Sequence, residues 1–186
     1  MREGTEMMKT PYLVALLLVQ PALLDATTAL LVRTNKSIYI GTDSLRTLRE
    51  TDTGRLTDHR LVCKIRAVGG VHIVTAGIPE YPATGFSLDA LVDQAALRRG
   101  SLGAKAEAFD EIAVAPLTAL AAHLRANNPY FGDRYVNSYF VQIAFAGIEN
   151  GKPVIIVRRF KPILDEQGRL TPPNPVRGPL PLGRIP

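Results

Sequence analysis

At 186 residues, 46% hydrophobic and 21% charged, the chain has the size and composition of one globular domain, which excludes wholesale disorder and a multi-span membrane protein. Its net charge of +5 comes from scattered Lys and Arg, with no dense basic run interleaved with aromatics, so no nucleic-acid partner is expected. A single cysteine, Cys63, excludes an intramolecular disulfide, and His59, His72 and His123 lack the spacing of metal ligands, so neither a metal nor another cofactor is expected.

Residues 1–26 read as a signal peptide or propeptide. Lys9 follows Met8, and residues 12–24 are apolar apart from Gln20 and Pro21, a run too short to span a bilayer. Ala26 supplies a small residue beside a cleavage site between Ala26 and Thr27. Read as an export signal, the segment implies a secreted or periplasmic protein that meets the membrane only transiently. A buried helix or an ordinary propeptide is the other reading of the same residues.

Residues 27–170 carry the regular elements. Two β-rich runs, 28–32 and 37–42, flank Thr34-Asn35-Lys36 and predict a hairpin. The polar stretch 44–60 shows neither helical nor strand periodicity and is expected to be a long loop. A second hairpin is expected from 61–68 and 71–76 around Gly69-Gly70. Ser87 is a good N-cap for a helix ending near Arg99 and Gly100. Residues 104–126 form a second helix that Pro116 should kink or interrupt, ending at Asn127-Asn128-Pro129. Runs 137–148 and 153–160 meet at Glu149-Asn150-Gly151, a strong hairpin signal. Residues 171–186 hold six prolines and are expected to be an irregular tail.

An N-terminal threonine can be a nucleophile without histidine, because its own α-amine, with a pKa of about 8, serves as the base. Cleavage before Thr27 would create that base. A hairpin centred on Asn35 pairs residues whose numbers sum to 70, which sets Thr27 opposite Asp43, within reach of a shared ion pair. Lys64, in the third strand, is placed to lower the hydroxyl's proton affinity and to pair with Asp43. Gly77, closing Thr75-Ala76-Gly77, allows close backbone approach and is the candidate N–H donor to an oxyanion. Each residue also has an ordinary reading as a strand residue, turn former, edge charge or turn glycine.

Thr27-Thr28-Ala29-Leu30-Leu31-Val32 followed by Ile38-Tyr39-Ile40-Gly41-Thr42-Asp43-Ser44 resembles the opening of proteasome β-subunit-like Ntn hydrolases. The resemblance implies Thr27 as nucleophile, Asp43 as the aspartate beside it, Lys64 in Cys63-Lys64-Ile65 as the strand lysine, and Gly77 on the substrate side. Reaching Lys64 takes about five more loop residues than the family pattern, and His59 lies nearer the ungapped position. Ala26 stands where self-processing members have glycine, which implies processing by a separate peptidase. The resemblance implies an α+β four-layer αββα sandwich built on antiparallel sheets. Beyond Phe160 the likeness stops, so the second half is expected to be incomplete through divergence, truncation or a changed reading frame.

The function expected is an exported threonine-type peptidase or amidohydrolase acting on a peptide or small amide, with a homo-oligomer as a further expectation. The alternative is a non-catalytic proteasome-like assembly or binding module. An exported binding domain unrelated to that family is the third reading.

Overall fold

The computed structural model describes residues 14–18, 29–43, 45–49, 56–61, 63–128, 131, 136, 139–166 and 169–171. Its centre is an antiparallel four-stranded sheet in the order β11-β10-β7-β6, from strands β6 (Ile65–Val68), β7 (Val71–Gly77), β10 (Val141–Glu149) and β11 (Lys152–Phe160). Val68 faces Val71 across Gly69-Gly70, and Glu149 faces Lys152 across Asn150-Gly151, so both expected two-residue hairpins form. Asn150 and Gly151 have φ of 49° and 71°, the left-handed pair that matches strand twist in such a loop.

Every residue of Val141-Gln142-Ile143-Ala144-Phe145-Ala146-Gly147 is buried, which requires cover on both faces of β10. On one face, Val141, Ile143 and Phe145 share a core with helices α1 (Leu88–Ala96) and α2 (Leu102–Asn127). On the other, Ala144, Ala146, Val74 and Val157 pack against Ala29 and Leu31 of a second sheet, with Ile38 and Ile40 around them. That sheet has the order β1-β2-β3, from β1 (Val14–Leu18), β2 (Ala29–Arg33) and β3 (Ile38–Thr42). The described residues therefore form an α+β arrangement of three layers: helices, sheet, sheet.

Several expectations are corrected. The β2–β3 ladder pairs Ala29 with Thr42 and Arg33 with Ile38, so paired numbers sum to 71, not 70. The cause is a four-residue turn. Thr34 N–H donates to the Ser37 carbonyl at 2.9 Å, and the Thr34 hydroxyl accepts from the N–H groups of Lys36 and Ser37 at 3.2 and 3.0 Å. The polar stretch expected as a loop contains an antiparallel pair, β4 (Leu45–Arg49) with β5 (Leu56–Leu61). Consequently the strand reaching Val68 starts at Ile65, and Lys64 stands just ahead of it. Val14–Leu18, inside the apolar leader run, pairs antiparallel along β2 from Val14↔Arg33 to Leu18↔Ala29. Beyond β11, β12 (Ile163–Leu164) pairs with β13 (Leu170–Thr171), and residues 172–186 lie outside the described set.

The connection between β7 and the helices runs through β8 (Glu80–Tyr81), a 3-10 turn at Pro82–Thr84 and β9 (Phe86–Ser87). Ser87 then caps α1 by accepting from Ala90 N–H at 3.3 Å, and Ser101 caps α2 by accepting from Ala104 N–H at 3.1 Å. Glu149, at the end of β10, accepts from the Leu102 N–H and so ties that helix start to the sheet. Lys105 donates to the Ala96 and Arg98 carbonyls, satisfying the end of α1.

Pro116 does not interrupt α2, which runs for 26 residues. The lost hydrogen bond and ring clash cost about 3 kcal/mol. Leu117 and Leu120, both fully buried, stabilise by about 1.5–3 kcal/mol each, enough to offset it. Further along the same face, Phe109 meets Phe145 and Phe160 at centroid distances of 6.1 and 5.7 Å. No described helix is long and apolar enough to cross a membrane.

Asp110 of α2 accepts from the Arg158 Nε at 2.9 and 2.8 Å, with both residues buried, clamping the helix to β11. Asp110→Ala leaves a guanidinium without that carboxylate in the core. Urea unfolding is expected to show a loss of about 3–5 kcal/mol, and a loss below about 1 kcal/mol would contradict the clamp.

Candidate active site

Among the described residues, an ion pair joins the three-stranded and four-stranded sheets at one end. Asp43 directly follows Thr42, the last residue of β3, and Lys64 directly precedes Ile65, the first residue of β6. Lys64 Nζ donates to Asp43 Oδ1 at 2.8 Å. The lysine side chain is only 9% exposed, whereas the carboxylate is 36% exposed and opens onto solvent. The pair thus presents an ammonium from inside the sandwich at the edge of a hydrated carboxylate.

The ladder places this charge pair beside the start of β2. Thr42 faces Ala29, so Asp43 is one residue past the partner of the first described residue of that strand. Ala26 and Thr27, the expected cleavage site and nucleophile, lie outside the described residues. Of the four residues expected to act together, Asp43 and Lys64 are brought into contact across a sequence separation of 21.

Gly77 ends β7 with φ of +105° and faces Val141. A Cβ there would overlap the Phe140 carbonyl oxygen, so the position demands glycine both conformationally and sterically. Ile65 faces Val74, and Gly77 lies three residues further along β7, towards the end where Lys64 enters β6. Measured along the strands, Gly77 is about 7 Å past the level of Lys64, near enough for both to border one extended ligand.

Two polar residues at the same end escaped the sequence reading. Gln142 is 4% exposed and faces Ala76 on one side and Arg159 on the other. Its signal was a lone polar residue in the buried run Val141–Gly147, an irregularity that periodicity treats as noise. Arg159 sits over the Tyr139 ring, with Cζ 5.6 Å from the ring centroid. Among the described residues, no group of three or more His, Cys, Asp or Glu side chains is placed to hold a metal ion.

Lys64→Met removes the inner charge, keeps most of the side-chain volume and leaves Asp43 hydrated. Its unfolding free energy is expected to stay within about 1 kcal/mol of the parent chain. Gly77→Ala forces a Cβ into backbone and is expected to lose more than about 2 kcal/mol in the same assay.

Comparison of the chain with protein-family models, curated proteins and solved structures returns no match.

Proposed function

We propose that this chain is a threonine-type amidohydrolase, a peptidase in the first instance, in which Thr27, freed by cleavage after Ala26, is the nucleophile. The observation that carries the proposal is the 2.8 Å Lys64–Asp43 pair at the mouth of the sandwich, beside the strand that Thr27 leads into. Two peptide steps separate Thr27 from Ala29, so its Cα lies within about 7.6 Å of Ala29 Cα by chain connectivity alone.

The chemistry follows from these groups. The Thr27 α-amine takes the hydroxyl proton as Oγ attacks the substrate carbonyl, and the buried Lys64 ammonium favours the developing alkoxide. Asp43 holds the ammonium in place. The Gly77 N–H is the proposed donor to the tetrahedral oxyanion. Collapse breaks the C–N bond, the amine leaves with the proton held by the α-amine, and water then hydrolyses the acyl ester. No other cofactor is required by this sequence of steps.

The three layers fit the inner part of an αββα Ntn-hydrolase sandwich. Leu30 and Tyr39, 43% and 61% exposed on the outer face of the second sheet, mark where a further layer would rest. The same exposed pair favours a second reading, a non-catalytic module that uses this face for assembly, including self-assembly. Release of the leader during export, to the periplasm or outside, remains part of the proposal and rests on the pattern of residues 1–26.

A β-lactone electrophile tests the enzyme reading on processed protein. Covalent labelling is expected at Thr27, absent in Thr27→Ala and slowed about a hundred-fold or more in Lys64→Met. Correctly processed protein that takes no label would favour the assembly module.

A further inference from the structure

Two described buried side-chain polar atoms have no hydrogen-bond partner: Asp93 Oδ1 and Arg159 Nε. Asp93 still engages Arg66 through its other oxygen, at 2.5 Å. Arg159 has no carboxylate among the described residues, which leaves a buried guanidinium N–H aimed at nothing and costs free energy until an acceptor arrives. Directly opposite in the β10–β11 ladder is Gln142, 4% exposed.

Strand alternation puts the two on one face. Arg158 bonds Asp110 of α2, so Arg159 belongs to the opposite side, with Val157, against the second sheet. Gln142 shares that side with Ala144 and Ala146. The Tyr139 ring, its centroid 5.6 Å from the Arg159 Cζ, supplies cation–π attraction without consuming an N–H donor.

We infer that Arg159 and Gln142 form a carboxylate-binding pair that takes the C-terminal carboxylate of a short peptide. A planar guanidinium with a free N–H, joined by a carboxamide donor from the neighbouring strand, matches the two oxygens of a carboxylate. Position argues for a substrate terminus. Gln142 is level with Ala76 on β7, and β6, which Lys64 leads into, is the next strand over. At about 4.8 Å per strand, Gln142 lies about 10 Å, and Arg159 about 14 Å, across the sheet from the line of β6. An extended peptide covers that span in about three to four residues.

This assignment rests on the hydrolase reading for its substrate but not for its binding. N-acetyl-tetraalanine acid and its C-terminal amide are titrated into the full chain by calorimetry, with no turnover needed. The acid is expected to bind about ten-fold or more tightly than the amide. Arg159→Gln is expected to abolish that preference, and Arg159→Lys, which keeps the charge without the fork, to retain part of it. Equal binding of acid and amide to the parent chain, no binding of the acid, or an undiminished preference in Arg159→Gln overturns the inference. An acid preference on a chain that takes no electrophile at Thr27 would leave the pair standing and remove the hydrolase reading; labelling without an acid preference does the reverse.

Discussion

The two-sided burial of β10 is the constraint on which the rest depends. A strand that is apolar on both faces cannot lie at a surface, so helices must cover one side and a second sheet the other. The small residues Ala144 and Ala146 let the second sheet approach on one side, while Phe145 fills the helical side. Polar groups that enter this interior need partners, and two ion pairs supply them in different ways. Asp110 and Arg158 satisfy each other within the helical layer. Lys64 instead reaches the rim, where Asp43 neutralises it while remaining in contact with water.

That difference separates structural charge from charge available for chemistry. The Asp110–Arg158 pair is closed on both sides and acts as a clamp. The Asp43–Lys64 pair sits where two sheets end together, beside the start of β2 and towards the terminal glycine of β7. Arg159 and Gln142 lie along the same rim on the far strands. One end of the sandwich therefore concentrates an ammonium, a carboxylate, a guanidinium and a carboxamide, while the layers behind it are apolar.

Much of the fold was legible because its signals are local. Asn150-Gly151 and Gly69-Gly70 specify two-residue hairpins, and Ser87 announces the first helix by a side chain that can bond its opening turn. The misreadings came where a non-local contact overrides local chemistry. Thr47 and His59 pair within a hairpin whose polar composition carries no period. Pro116 stays helical because packing of its neighbours outweighs a backbone defect. Val14–Leu18 pairs along β2 in the uncleaved chain, and its release with the leader is part of the proposal. The hairpin register shifted by one because the Thr34 hydroxyl builds the turn, which spacing alone does not reveal.

The candidate site divides in the same way. Asp43 and Lys64 were identified from motif and spacing, and they meet in the structure. Gln142 and Arg159 were missed because their significance is an unsatisfied guanidinium N–H opposite a buried carboxamide across strands, visible only in three dimensions. Everything proposed for catalysis converges on a free amine at one residue. The intact mass of the chain purified from its producing cells tests that most directly. A polypeptide beginning at Thr27 is expected; a folded chain that still begins at Met1 or Met8 would contradict the proposed chemistry.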